Sequence, residues 1–280
     1  MTHVRLSLKV VLLALLWTLS IPPLAAQTAQ PTLLPQLGPE QMEKFLLTAR
    51  IERIRNLGEG VTNSRRATLT DGQLTHDAHV QVVDESKALF DGVRGAEIGF
   101  KDSYRYNIAG YRLALLLGLD NVPMSVEREV QGKIAAVTWW VDDVLMDETE
   151  RTKKQVMDPD PQRYARNVYL MRVFDALIYN TDRNLGNLIW AKDWKMWLID
   201  HTRAFRLTRE IRTPGDLTRV DRELLQAMRG LTVESVSKAV GNSLNREEIQ
   251  GVIARRDLLV KFFDTRIAER GEAAVVYTRR

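Results

Sequence analysis

The first half of the chain alternates short apolar runs with turn residues. This pattern predicts several β-strands: a short one closed by Asp71-Gly72, others over 78–84 and 95–101, and two joined at Gln131-Gly132. Two further segments, 39–58 and 103–120, carry apolar residues at helical spacing. The first half is therefore predicted to be strand-rich, with two helices among the strands.

Helical spacing dominates after Asp143. The pattern predicts a helix over 161–180 and further helices at about 219–230, 232–240 and 245–269. Between them, residues 187–200 predict two short strands. A strand-rich part followed by a helical part indicates an α+β fold, and 280 residues allow one two-lobed domain or two small ones.

The N-terminus has the layout of a bacterial-type secretory signal over residues 1–26. Arg5 and Lys9 precede an apolar run over 10–21, and the small residues Ala25 and Ala26 follow, so cleavage after Ala26 is expected. The run is short for a membrane span, which needs about 20 residues. We expect an exported protein, periplasmic or secreted. An uncleaved N-terminal anchor is the alternative, and we expect no other contact with a membrane.

Composition narrows the candidate chemistry. The chain has no cysteine, which excludes disulfides, thiolate metal sites and a cysteine nucleophile. Lysine and arginine number 40 against 36 acidic residues, an excess too small and too dispersed to predict a nucleic-acid surface. With 45% hydrophobic residues, the chain can bury a core without covalent cross-links.

Three polar residues stand out in the stretch NTDRNLGNLIWAKDWKMWLIDHTRAF, residues 180–205. Asn187 lies five residues after Asp182, and Asp200 lies thirteen residues after Asn187. A β-hairpin in which NLIWA runs out, KDWK turns and MWLID returns would bring Asn187 and Asp200 side by side. Carboxylate and amide oxygens suit Mg²⁺, and a nearby unmetallated Asp182 can orient or deprotonate a hydroxyl. Turn and cap chemistry is the alternative explanation of these residues.

Three other sequence patterns give weaker evidence for a functional site. DRNLGN alternates polar residues but lacks the glycine position and closing glutamate of an EF-hand. His76 and His79 form a potential metal pair without a convincingly spaced third ligand, and a strand edge explains them more simply. The chain contains no Gly-x-Ser-x-Gly elbow of a serine hydrolase.

The motif TDRNLGN…LIDHTRAF resembles the catalytic and metal-binding segments of the atypical kinase superfamily. This superfamily is related to the phosphatidylinositol 3-/4-kinases, the HipA-like kinases and the Fam20-like secretory-pathway kinases. The resemblance implies that Asp182 is the catalytic base, that Arg183 braces the loop or contacts phosphate, and that Asn187 and Asp200 bind Mg²⁺ or Mn²⁺. The usual histidine of the motif is Asn184 here.

The same resemblance implies a bilobal, protein-kinase-like fold that uses ATP. The linker and N-terminal helix would occupy 27–57, the N-lobe 58–142 and the C-lobe 143–280. Gly58 and Gly60 would let a turn approach the nucleotide phosphates, with Ser64 or Arg65 within reach. Backbone around Trp140 and Val141 would meet adenine.

The lysine and glutamate that such kinases use to hold the phosphates are not at their expected places. Gln81 stands where the strand lysine is expected, and Asn107 where the helix glutamate is expected. Lys101 is the first substitute, with Glu97 as its partner, and Lys87 is the second.

Two functions therefore remain open. One is an ATP-dependent phosphotransferase acting on a protein or small-molecule acceptor. The other is a catalytically silent protein of the same fold that binds a nucleotide or a partner.

Overall fold

The computed structural model describes residues 37–58, 64–92 and 95–279. The predicted signal over 1–26, the first part of the linker and Gly60 lie outside the described residues. All described residues belong to one compact unit. Among the helices of this described part, none combines the length and hydrophobicity needed to span a bilayer.

The N-lobe is built on a five-stranded antiparallel sheet with the order β1-β2-β3-β7-β6. Strands β4 and β5 form a separate hairpin between β3 and α2. The elements are α1 (Pro39–Thr48), β1 (Arg50–Asn56), β2 (Arg65–Thr70), β3 (Thr75–Gln81), β4 (Asp84–Gly92), β5 (Gly95–Ser103), α2 (Arg105–Leu116), β6 (Ser125–Val130) and β7 (Lys133–Trp139).

The C-lobe is mainly helical and contains a three-stranded sheet with the order β10-β9-β8 and a short parallel pair of β11 and β12. Its elements are β8 (Val144–Asp147), α3 (Glu148–Lys154), α4 (Pro161–Ile178), β9 (Leu188–Ala191), β10 (Met196–Leu198), β11 (Val220–Asp221), α5 (Arg222–Gly230), α6 (Val233–Val240), α7 (Arg246–Arg270), α8 (Glu272–Val275) and β12 (Val276–Tyr277). The strand-rich and helical parts confirm the predicted α+β class.

The helix predicted from Pro39 to the residue before Gly58 is wrong in its second half. Helix α1 ends at Thr48, and 50–56 form the edge strand β1, paired with β2. A β-bulge between Ile51 and Arg53 inserts one extra residue into β1. Ile51 and Ile54, three residues apart, are consequently both half-buried. The bulge therefore reproduces in a strand the spacing that is typical of a helix face.

The N-lobe sheet is covered on both faces. Ala78 and Val80 of β3 lie in the core on the face that α1 covers, where Phe45 meets Trp139 edge to face. The opposite face carries Ala136, which packs with Tyr104 and with Ile108 of α2. Since side chains alternate along a strand, His79 and Gln81 lie on the α2 face, toward the cleft between the lobes.

Candidate active site

The loop that carries Asp182 follows α4 directly. The helix ends at Tyr179 in the left-handed conformation (φ 51°), which turns the chain out of the helix. The Asn180 side chain then accepts a hydrogen bond from the Asp182 amide at 3.0 Å. Thr181 donates its hydroxyl to the Arg203 carbonyl at 2.9 Å. The Asp182 side chain is 32% exposed, and an Arg203 nitrogen lies 3.7 Å from its Oδ2.

Arg183 braces this loop from within. Its Nε and Nη2 donate to the two Asp175 carboxylate oxygens at 2.9 and 3.0 Å, in a bidentate pair. Its Nη1 donates to the Asn187 carbonyl at 3.0 Å and to the Ile199 carbonyl at 2.7 Å. One buried guanidinium thus ties α4, the loop and β10 together. Of the two roles that the resemblance implied for Arg183, the geometry is that of the brace.

The predicted hairpin forms, with Asn187 opposite Ile199 and therefore one position away from Asp200. Trp190 lies opposite Met196, Leu188 lies opposite Leu198, and the Ile199 amide donates to the Asn187 carbonyl at 3.1 Å. Asn187 and Asp200 therefore lie at the same end of the hairpin. The Asn187 amide nitrogen donates to the Asp182 carbonyl at 3.2 Å, so its oxygen is the group left to accept or to ligate.

Asp200 adopts a left-handed backbone conformation (φ 53°), which few residues other than glycine, Asn and Asp tolerate. Its Oδ1 accepts a hydrogen bond from the Thr202 hydroxyl at 2.9 Å. The next residue is buried: the His201 amide donates to the Asn107 side-chain oxygen at 2.7 Å. Asn107 on α2, where the resemblance led us to expect a glutamate, therefore holds the segment after Asp200.

His201 itself is a packing residue. A Cβ added to Gly110 of α2 would lie 3.1 Å from the imidazole, so the helix and the ring are in direct contact. Burial lowers the pKa of His201 well below its ordinary value, and the positive charge of Arg183 acts in the same direction. The ring therefore packs between α2 and Phe174 of α4.

Two titratable residues near Asp200 were not assigned to the site from sequence. His79 on β3 is half-buried; burial lowers its pKa, and the Asp200 carboxylate opposes that shift. Asp102 on β5 is buried, and its Oδ1 makes no hydrogen bond. Burial raises the pKa of Asp102; a hydrogen bond from Thr202 opposes this, and the Asp200 carboxylate adds to it. His79 was visible in the HDAH stretch, whereas no sequence signal marked Asp102.

The two candidate lysines interact elsewhere. The Lys101 Nζ lies 2.6 Å from a Glu248 oxygen on α7. Glu97 instead pairs with Arg203 and with Arg206, each at 2.6 Å, so the predicted Lys101–Glu97 pair is wrong. The physical reason is that the chain after Asp200 runs beside β5 and presents two guanidinium groups to Glu97.

Lys87 lies on the exposed hairpin strand β4. Its Nζ is 2.9 Å from a Glu85 oxygen and about 5 Å from the centroids of the stacked Phe90 and Phe100 rings. On β3, the Gln81 amide nitrogen donates to the Ser64 hydroxyl at 3.3 Å, while its oxygen accepts from the Val82 amide at 3.0 Å. The strand position expected to carry lysine thus holds an amide engaged in local hydrogen bonds.

The predicted phosphate turn is described only in part. Gly58 has φ 71°, and nothing lies within 4 Å of a Cβ built on it, so its backbone conformation is what requires glycine there. Arg65, the other candidate beside Ser64, donates to the Gln131 side chain at 2.9 Å.

The predicted adenine-binding segment follows β7. The Trp140 amide donates to the Asp77 carbonyl at 3.2 Å, and the Arg66 guanidinium stacks over the Trp140 ring at 4.1 Å. Val141 is half-buried beside it. Asp142 accepts from the Trp139 indole at 3.0 Å and contacts an imidazole nitrogen of His76 at 2.8 Å. His76 is therefore part of this connection and not half of a metal pair with His79.

The donor set fits a hard divalent cation. No three histidine or acidic side chains in the described part of the chain converge tightly enough to hold a metal by themselves. The predicted pair of Asp200 and Asn187 offers a carboxylate and an amide oxygen, which suits Mg²⁺ because this ion keeps water and phosphate oxygens among its ligands. The buried Asp102 oxygen without a hydrogen bond is a further sign that positive charge is missing from this region.

Comparison with known proteins identifies the fold. No protein-family model and no curated protein matches this sequence. Among solved structures, hydra Fam20, determined with a sugar, superposes with a TM-score of 0.65 at 13% identity, covering 85% of this chain and 92% of its own. The Golgi casein kinase with Mn and ADP bound gives 0.59 at 15% identity, covering 86% of this chain and 78% of its own. The Helicobacter pylori proinflammatory kinase CtkA gives 0.51 at 12% identity, covering 80% and 98%.

At these identities the comparison establishes the fold. The chain has the bilobal, kinase-like fold of the Fam20-like atypical kinases, as the resemblance of its motif implied.

Proposed function

We propose that this protein is a phosphotransferase that uses ATP with Mg²⁺ or Mn²⁺. The observation that carries the proposal is the arrangement around one end of the β9–β10 hairpin. The loop that carries Asp182 is tied there to the hairpin that carries Asn187 and Asp200, through the Arg183 guanidinium and the Asn187 amide, in a fold shared with kinases. Turn and cap chemistry alone does not account for a guanidinium that fixes the loop and the hairpin together.

Each residue of the candidate site has a proposed role. Asp182 accepts the proton of the acceptor hydroxyl or orients it, since it is partly exposed at the cleft. Asn187 and Asp200 hold the cation, which when bound neutralises charge on the phosphates. The backbone at Trp140 and Val141 contacts adenine. The structure of the Golgi casein kinase with Mn and ADP supports this choice of ligands.

The phosphate-covering turn would include Gly58 and Gly60. Lys101 and Lys87 were predicted to contact the phosphates, but their ion pairs with Glu248 and Glu85 make them weaker candidates than Arg203. Arg203 lies beside Asp182 and is anchored by Glu97, so it puts a positive charge next to the proposed catalytic base. The acceptor is a protein or small molecule with a hydroxyl group.

The test is nucleotide binding and phosphate transfer by the purified protein. We expect ATP to bind only with Mg²⁺ or Mn²⁺, measured by calorimetry, and to release ADP during incubation with candidate acceptors. Asp200→Asn should weaken metal-dependent ATP binding at least tenfold. Asp193→Asn, at the turn of the same hairpin, is the matched control and should bind as the wild type does. Absence of ATP binding at millimolar concentration would refute the proposal.

A second candidate is a silent protein of the same fold. It is favoured by Gln81 and Asn107 at the positions where lysine and glutamate were expected, and by the ion pairs of both candidate lysines with Glu248 and Glu85. This candidate predicts metal-dependent nucleotide binding without any ADP formation. The two functions are separated by following ADP in the same samples used for calorimetry.

We also propose export, based on the basic, apolar and small-residue pattern of residues 1–26. Expression of the full chain followed by cell fractionation should recover a protein that begins at Gln27 outside the cytoplasm. Recovery of the uncleaved chain in the membrane fraction would indicate the anchor instead.

A further inference from the structure

Asp102 occupies a firmly held stretch of backbone. The Lys101 carbonyl accepts a hydrogen bond from Arg206 at 2.5 Å, and the Ser103 amide donates to the Thr202 carbonyl at 2.9 Å. Both contacts join β5 to the segment that follows Asp200. The Asp102 side chain is therefore fixed against this segment by the residues on either side of it.

The carboxylate of Asp102 lacks a partner for one of its oxygens. The residue is 6% exposed, and its Oδ1 is buried without a hydrogen bond. Buried carboxylates are normally paired or bound to metal, because desolvating an unpaired charge is costly.

The neighbouring cations form ion pairs with other acids, although the Arg203 charge also acts to lower the pKa of Asp102. Lys101 pairs with Glu248, Arg203 with Glu97, and Arg105 lies 3.9 Å from Asp84. In the described part of the chain, no lysine or arginine forms an ion pair with Asp102.

Asp102 and Asp200 lie on either side of Thr202. The Thr202 hydroxyl lies 2.9 Å from the Asp200 Oδ1, and the Thr202 carbonyl accepts a hydrogen bond at 2.9 Å from the amide of Ser103, the residue next to Asp102. The hydroxyl has one proton and donates it to Asp200, so it leaves the Asp102 Oδ1 without a donor. The two carboxylates repel each other, and a cation between them would remove that repulsion and give the Asp102 Oδ1 a partner.

We propose that Asp102 and Asp200 together ligate a divalent cation, with Asp102 supplying the ligand from the strand-rich lobe. The inference rests on the proposed function, because it extends the metal site assigned there to Asn187 and Asp200. It adds an anionic ligand from the opposite lobe, so metal binding joins β5 to the end of the β9–β10 hairpin. With two carboxylates, the site should bind Mn²⁺ even without nucleotide.

The experiment is a titration of the nucleotide-free protein with Mn²⁺, followed by electron paramagnetic resonance of the free ion, with a thermal melt at each Mn²⁺ concentration. We expect Asp102→Asn to weaken Mn²⁺ binding at least tenfold and to abolish the stabilisation by Mn²⁺. Its melting temperature without metal should equal or exceed that of the wild type, because the substitution removes an unpaired buried charge. Asp91→Asn, at the exposed end of the same hairpin, is the control and should leave Mn²⁺ binding unchanged. Asp102→Ser serves as a second variant if the amide does not fold.

The outcomes separate the two proposals. If Asp200→Asn weakens Mn²⁺ binding while both Asp102 variants bind within twofold of the wild type, the role of Asp102 is refuted and the proposed function stands. If the wild type binds no Mn²⁺ alone but binds ATP with Mg²⁺, the carboxylate pair is again refuted. If the wild type binds neither Mn²⁺ nor metal-dependent ATP, both proposals fail.

Discussion

The two sides of the cleft are built in different ways. On the C-lobe side, the loop with Asp182 and the β9–β10 hairpin are fixed by buried, charge-assisted contacts: Arg183 to Asp175, and Trp190 to Glu148. On the N-lobe side, the hairpin strand β4 is exposed, and the Lys87–Glu85 pair is about half exposed on both partners. Buried charged contacts fix a geometry, whereas exposed pairs contribute little.

This difference concerns how firmly each segment is held. Asp182, Asn187 and Asp200 lie on a loop and a hairpin that Arg183 ties together. On the other side, Gln81 stands where a strand lysine was expected, whereas Arg203 lies 3.7 Å from Asp182 and, like Arg206, pairs with Glu97. We therefore expect substitutions in the buried C-lobe contacts to reduce stability more than substitutions in the exposed N-lobe pairs.

The largest expected effect is on turnover at Asp182. Asp182→Asn keeps the shape of the side chain but removes its basicity, and general-base catalysis contributes about 10²- to 10⁴-fold. We expect ADP formation to fall by at least about 100-fold while metal-dependent ATP binding stays within threefold. Equal turnover in the variant and the wild type would show that Asp182 is not the base.

The next effect is on stability at Arg183. Arg183→Met removes the partner of Asp175 while both side chains are nearly buried, 9% and 12% exposed. Breaking a buried ion pair from one side destabilises a protein by about 3–5 kcal/mol, because a buried charge is left unpaired. We expect a loss of this order in the free energy of unfolding, measured by urea denaturation.

The control for Arg183 is Lys192, in the turn of the β9–β10 hairpin that Arg183 braces. Lys192→Met breaks the ion pair with Asp143, whose side chains are 67% and 74% exposed. We expect no change in the urea midpoint for this variant. A similar loss for both substitutions would contradict the distinction between buried and exposed pairs.

A substitution of Lys101 tests whether this residue contacts the phosphates or only stabilises the fold. Lys101→Met removes the cation that pairs with the nearly buried Glu248. The Glu248 carboxylate then keeps its contacts with the Tyr106 hydroxyl and the Asn245 amide, and we expect the free energy of unfolding to fall by about 2 kcal/mol. If its contact is structural, metal-dependent ATP affinity should remain within twofold of the wild type. A tenfold loss of ATP affinity with little loss of stability would instead support the sequence-based assignment of Lys101 to the phosphates. Lys87→Met, in an exposed pair, is the control for stability.

The sequence predicted the β9–β10 hairpin because the residues that pair in it are close together in the chain. The spacing of Asn187 and Asp200 specified the hairpin, and the residues of one hairpin determine their own pairing. The N-lobe side depends on contacts between distant parts of the chain. Lys101 and Glu248 are 147 residues apart, and the burial of Asp102 follows from the approach of residues 202–206 to β5. Neither contact leaves a periodic pattern in the sequence.

Strand β4 was not predicted, because its exposed side chains lack the alternation of a half-buried strand.

The smallest expected effect is a pH dependence at Glu148, which anchors the hairpin through Trp190. Burial alone would raise the pKa of Glu148, but hydrogen bonds from Arg151 and Trp190 hold the pKa below its ordinary value of 4.5. A carboxylate with a depressed pKa stabilises the folded state above the unfolded pKa, and this stability is lost as the pH falls through the folded pKa. Glu148→Gln should therefore be less stable than the wild type by about 1.5 kcal/mol at pH 7, and the difference should shrink below pH 4.5. Urea denaturation of both proteins between pH 7 and pH 3 measures it. If the difference in stability stays constant over this range, Glu148 holds the hairpin by its shape and not by its charge. Arg183 would then be the charged residue that fixes the C-lobe side of the cleft.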